Sequence, residues 1–297
     1  MSDKQLPAVK LAVGMAMIGT VGAFAVESGL SPVSVVFWRC VFGTLFLGLW
    51  CIIRGYLPDR SLSLKRLTYA SLAGVCMVLS WIAFFAGFTL TSIATTTIIY
   101  HIQPFFVVLI SAVFLRELIS LNQVLWMAGA FTGVILASGL VSPFGIINIH
   151  WVLGVALTLV AALLYAISTL VGKGLGQQRP EITILCQKIV GIILLAPFTD
   201  SFRSVPPESW GWLIGIGVLH TGVAYVLMYS AYPKLTPPVI GVLTFIYPLI
   251  AIIVDWVFYG HQPGVIQMTG MILIALCTLG VKLGWPFPVG LKRKISL

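Results

Sequence analysis

The sequence predicts an all-α membrane protein: ten transmembrane helices, arranged as two inverted five-helix repeats around a central cavity. Three observations predict it. The 297 residues are 59% hydrophobic and only 8% charged, with mean hydropathy +1.07, where soluble domains carry nearly 25% charge. The apolar residues fall into about ten runs of bilayer length, since a helical span needs roughly 20. A proline-interrupted segment, Leu90–Glu117 with Pro104 near its middle, returns 144 residues later as Leu235–His261 with Pro248.

Taken in order, the spans are Val9–Val26, Val33–Ile53, Leu67–Leu90, Ala94–Leu115, Val124–Val141, Trp151–Gly172, Ile182–Phe198, Gly211–Tyr232, Pro237–Tyr259 and Val265–Leu283. Turn formers join them, as in Gly29-Leu30-Ser31-Pro32, Pro206-Pro207 and Gln262-Pro263-Gly264. The first run, with Lys4 and Lys10 before it and Ala23-Phe24-Ala25 near its end, also has the outline of a secretory signal. Cleavage there would leave nine spans and break the repeat, so the segment is read as a span. No linker is long enough for a soluble domain. The two repeats are residues 1–141 and 142–297.

The net charge of +9 could point to nucleic acid, but its placement does not. With the amino terminus in the cytoplasm, fourteen of the 17 basic residues fall in cytoplasmic segments, among them Lys4, Arg54, Arg66, Arg179 and Lys292-Arg293-Lys294. Arg203 alone falls outside, and Arg39 and Lys188 lie within spans. That asymmetry fixes orientation and puts both termini in the cytoplasm. The basic residues are topology determinants beside a lipid bilayer, and no nucleic-acid partner is expected. Cys40, Cys51, Cys76, Cys186 and Cys277 lie in apolar runs at no metal-like spacing, and are expected as buried free thiols.

The halves agree beyond the prolines. Gly129 and Gly139 are ten residues apart, as are Gly270 and Gly280; Arg39 and Lys188 each lie seven residues into their spans. Five spans is an odd number, so the second half must enter the membrane the opposite way, as in alternating-access carriers.

Ala86-Gly87-Phe88, Ser92, Ala94, Pro104, Glu117, Gly129 and Gly139, echoed by Ser230-Ala231-Tyr232, Pro248, Gly270 and Gly280, resemble the EamA repeat of the drug/metabolite transporter superfamily over nearly the whole chain. The resemblance implies a cavity lined mainly by spans 1, 3, 4, 6, 8 and 9, with spans 5 and 10 peripheral. It also implies transport of small organic metabolites, often outward, across a plasma membrane (the inner membrane of a Gram-negative cell). One departure stands out: the second repeat ends its fourth helix with Gly260-His261, where the family has Gly-Glu.

Ionisable groups within spans are costly and point to function unless they snorkel from a helix end. Arg39 and Lys188 are open to both readings, at similar depths from opposite faces. An outer-gate charge pair of Arg39 with Asp255 or Glu27 is one expectation. His101 and His220 are either substrate-binding groups or interhelical bridges. Pro104 frees a carbonyl beside Tyr100, His101 and Gln103, which favours a cavity there. Trp81, Tyr165 and Tyr247 are too deep for an interfacial belt, and their polar tips need partners. The substrate-binding set expected is therefore Trp81, Tyr100, His101, Gln103, Tyr165, His220 and Tyr247. An aromatic wall with few charges suits a neutral, zwitterionic or amphipathic solute, amino-acid-like or drug-like, better than a polyanion. The chain carries no HExxH, phosphate loop or nucleophile elbow, so neither an enzyme, a cofactor nor a metal site is expected. The partners expected are a small-molecule substrate and the bilayer, and a homodimer is compatible with the sequence.

Overall fold

The computed structural model describes residues 6–57, 59, 63–115, 119–138, 148–172, 175, 178–199, 204–286 and 294–295. Lys4, Glu117, Gly139, Arg203 and Lys292-Arg293, which figured in the reading of topology and repeats, lie outside those residues. The described chain is almost wholly helical. Its one extended pairing is a two-residue antiparallel bridge of Ile119–Ser120 with Lys294–Ile295.

Nine helical segments among the described residues are long and apolar enough to cross a membrane, starting with Leu6–Glu27 and ending with Val265–Leu283. A tenth apolar helix, Leu121–Ala137, is shorter. It begins three residues earlier than the hydropathy suggested, because Ser120 and Gln123 form a capping box there.

Several spans are interrupted. The first divides into α1 (Leu6–Gly19) and α2 (Val21–Glu27) at Thr20, whose hydroxyl turns back to the Met17 carbonyl at 2.8 Å. The second and third are α3 (Pro32–Ile53) and α4 (Leu64–Leu90), each started by a serine cap, Ser31 and Ser63. The fourth divides into α5 (Ile93–Tyr100) and α6 (Gln103–Leu115), and the fifth is α7 (Leu121–Ala137). In the second half come α8 (Ile149–Gly172) and α9 (Pro180–Leu195). The eighth span is α10 (Ser209–Gly215), a π-helical stretch over Ile216–Val223, and α11 (Ala224–Ala231). The ninth divides into α12 (Pro237–Leu243) and α13 (Ile246–Tyr259), and the last is α14 (Val265–Leu283).

The packing has a two-fold pattern. Numbering spans from one to ten, span 1 packs on spans 8 and 9, and span 6 packs on spans 3 and 4. Span 2 packs on span 8 as span 7 does on span 3, while spans 2 and 7 pack on each other, as do 5 and 10. That last contact explains the glycines. A Cβ on Gly270 of α14 would run into the Ala137 amide nitrogen and the Gly133 carbonyl of α7, and one on Gly129 would stand 2.8 Å from the Cys277 sulfur. Small residues let the two backbones touch, which is how helices associate where no water drives burial. Large apolar side chains such as Phe114, Ile193 and Phe258 point outward and exposed, as a lipid-facing surface requires. All five cysteines are free.

Candidate functional site

The two proline-bearing spans are broken at matching places. Pro104 and Pro248 lack an amide hydrogen, so each helix closes its preceding turn with shorter-range bonds: His101 N to Ile98 O and Ile102 N to Ile99 O in the fourth span, and Phe245 N to Val242 O in the ninth. The breaks face each other. The His101 ring packs against Phe245 at 5.6 Å and Tyr247 at 5.3 Å.

Beside this junction lies a cavity of about 340 Å³. Of the residues expected to bind substrate, Trp81, Tyr100, His101, Gln103, Tyr165 and Tyr247 line it. Tyr100 also ties spans together: its hydroxyl lies 3.2 Å from Ser80 Oγ, which donates to the Ala161 carbonyl at 2.7 Å. His101 Nδ1 and Gln103 Oε1 are buried with no hydrogen-bond partner. Such groups are rare in folded proteins and call for an explanation; here both residues stand in the wall of a cavity.

His220 does not line the cavity. It is buried in the π-helical stretch, with Nε2 2.9 Å from Thr20 Oγ1 and Nδ1 3.2 Å from the Gly215 carbonyl. A carbonyl only accepts, so Nδ1 carries a hydrogen toward Gly215; in the neutral ring Nε2 and the Met17 carbonyl then compete for the single Thr20 hydroxyl hydrogen. The ring joins the eighth span to the break in the first, with the Phe24 ring against it at 4.5 Å. The substrate-binding expectation for His220 gives way to the interhelical bridge.

The expected charge pair is also replaced. Arg39 donates from Nε to Thr221 Oγ1 at 2.9 Å and lies over the Trp81 ring, 4.4 Å from its centroid. Asp255 and Glu27 are at one end of the bundle, each with another partner. Asp255, 1% exposed, accepts the Ala94 amide at 3.0 Å through Oδ2 and meets His261 Nδ1 at 2.9 Å through Oδ1. The first turn of α5 has unsatisfied amides, and a carboxylate is the natural group to cap them. Glu27, exposed, accepts the Tyr259 hydroxyl at 2.8 Å, and Tyr259 stacks on His261. Lys188 is on the other face of the expectation: it is fully buried, and its Nζ lies 3.5 Å from the centroid of the same Trp81 ring. Arg39 and Lys188, read as lying at opposite depths, therefore both reach the Trp81 ring.

At the end held by Asp255, a second recess of about 280 Å³ is lined by Ser92, Thr95, Asp255 and His261, among others. The buried helix α5 runs from this recess to the cavity. At the cavity's other end stands Lys282, exposed, donating to Thr244 Oγ1 at 3.0 Å. Lys282 and Thr278 bring the tenth span into the lining, and Arg39 brings the second, beyond the six spans the resemblance implied. Sequence reasoning also undervalued Tyr225, Tyr229 and Tyr232, which line the cavity as a ladder with rings 6.0 and 5.7 Å apart. Their spacing of four and three residues marks a single helix face, and that was the available signal.

A bundle of membrane-spanning helices around a polar-tipped aromatic cavity, with discontinuous helices meeting in it, is the architecture of a membrane transporter. The EamA-like transporter family matches this chain twice, over residues 6–139 and 152–283, and the chain belongs to that family. It is 29% identical over 274 residues to the uncharacterized transporter YxxF of Bacillus subtilis (strain 168), covering 92% of this chain and 88% of that one. It is 25% identical over 257 residues to the pseudopaline exporter CntI of Pseudomonas aeruginosa (strain UCBPP-PA14), covering 85% and 86%. A solved crystal structure shares the fold with TM-score 0.63 at 14% identity, over 93% of this chain and 96% of its own. The chain is a multi-pass membrane transporter, not an enzyme.

Proposed function

We propose that this chain is a secondary exporter of small organic solutes, amino-acid-like or amphipathic, working by alternating access between two inverted five-helix repeats. The observation that carries the reading is the cavity where the two broken spans meet, lined by His101 and Gln103, each with a buried polar atom that lacks a partner. The cavity reaches Lys282 at one end, while the Asp255–Ala94–His261 contacts tie α13 to α5 at the other. In the orientation proposed from the charge asymmetry, with both termini in the cytoplasm and the protein in the plasma membrane, this is the inward-facing state. Inversion is supported by the two-fold pairing of spans and by the odd number of spans in each half. The outward direction rests on the exporter among the relatives.

Counterflow in liposomes against amino acids, polyamines, nucleosides and amphipathic drugs tests the function. Accumulation of at least one solute class is expected; none accumulating would leave a membrane protein without carrier activity. In that assay His101→Gln, Gln103→Leu and Trp81→Leu should alter relative substrate competition at least several-fold while the protein remains folded. If all three lower thermal stability yet keep wild-type competition profiles, the polar junction is scaffold.

Orientation has its own test. Single cysteines in a thiol-free background should react with an impermeant reagent in intact cells at Ser204 and stay unreacted at Ser63, both exposed positions. The reverse pattern would invert the topology and make the state outward-facing.

A further inference from the structure

We propose that the floor of this cavity is a carboxylate subsite, in which Arg39 contacts a single carboxylate of the solute and Lys188 adds a second positive charge. The inference rests on the cavity being the solute path. Arg39 is 5% exposed and lines the cavity; Lys188 is fully buried and does not line it. Both lie against the Trp81 indole, so their charges are within about 8 Å of each other, where the low-dielectric interior makes like charges repel strongly.

Neither cation has a counter-ion among the described residues. Asp255 and Glu27 are engaged at the far end, Glu181 is in the first turn of α9, Glu208 precedes α10, and Asp59 lies between α3 and α4. The guanidinium spends Nε on Thr221 and reaches Tyr225 OH only at 3.5 Å, which leaves most of its five donor hydrogens free. Lys188 Nζ has no hydrogen-bond partner. Burying an ion is costly, and the face of an indole returns only part of that cost. A guanidinium cannot shed its proton, so for Arg39 an anion is the missing component.

The walls select which anion. One guanidinium fork matches a carboxylate in two parallel hydrogen bonds. The remaining surface, with Trp81, Phe84, Tyr165, Tyr225 and Met228, offers an apolar and aromatic bed for the body of the solute.

Sodium phenylacetate, its neutral analogue phenylacetamide, and sodium chloride at matched ionic strength are compared by thermal unfolding of the purified full-length carrier. Phenylacetate should raise the midpoint saturably, as any ligand of the native state does; phenylacetamide and chloride should not. Arg39→Gln should abolish the response and Arg39→Lys should keep part of it. Lys188→Met, which removes an unpaired buried charge, should raise the unliganded midpoint while weakening phenylacetate at least fivefold. The subsite is overturned if phenylacetate gives no shift, if the amide or chloride matches it, or if Arg39→Gln or Lys188→Met binds as the wild type does. Counterflow separates the two ideas: transport without the carboxylate response removes the subsite only, and the response without any transport removes the carrier reading only.

Discussion

Asp255→Ala is expected to unfasten the closed end of the carrier. The substitution strands the Ala94 amide, buried at the start of α5, and takes away the group that holds His261. A stranded buried donor costs about 1–3 kcal/mol, and a carboxylate lost from a helix amino terminus a further ~0.3–1 kcal/mol. Since each 1.4 kcal/mol is a factor of about ten in an equilibrium, the balance between closed and open should move by tenfold or more. A cysteine at Ile18, in the cavity lining, reports the change: its labelling by an impermeant thiol reagent added from the Gly260 face should accelerate at least tenfold. Asp255→Asn, which keeps an acceptor for the amide, should fall between. His261→Ala should have the smaller effect, because Asp255 still caps the Ala94 amide and the lost ring is 55% exposed. Wild-type labelling in Asp255→Ala would mean that other contacts hold this end closed.

The second large effect concerns the α7–α14 contact. Gly270→Ala should destabilise the folded carrier by at least the ~1–3 kcal/mol usual for overpacking, because the obstacles are the backbone atoms of Gly133 and Ala137, which cannot rotate away. Gly270→Leu should abolish folded protein. Gly48→Ala is the control: it has no atom within 4 Å of the added methyl, and alanine is the better helix former, so its midpoint should hold or rise. Equal midpoints for Gly270→Ala and Gly48→Ala, by thermal unfolding of the purified proteins, would show that the helices can separate without cost.

Hydropathy made the spans legible because a bilayer demands long apolar runs of any sequence that crosses it. Both proline breaks were visible as well, since a missing amide hydrogen is a local fact, and the side chains beside Pro104 and Pro248 do line the cavity. The break at Thr20 was not visible: no proline marks it, and its side-chain partner His220 is 200 residues away. Depth could be read from the sequence, but rotation about the helix axis could not. Arg39 and Asp255 were paired on depth, whereas Arg39 faces Thr221 and Asp255 faces the start of α5. Arg39 and Lys188 were separated on depth, yet their long side chains span the difference and meet at Trp81. His261 showed only as a departure from the family pattern; its link to Asp255, six residues earlier, closes over the left-handed turn at Gly260.

The π-helical stretch over Ile216–Val223 acts as a phase shifter in the eighth span. A helix counting 3.6 residues per turn rotates about 100° for each residue, so the wider π turns offset the face presented by everything after Val223. Within the stretch, His220 and Thr221 look toward Thr20 and Arg39; beyond it, Tyr225, Tyr229 and Tyr232 look into the cavity. One continuous rod thereby serves two neighbourhoods, and the π-helical stretch decides which aromatic rings face the cavity.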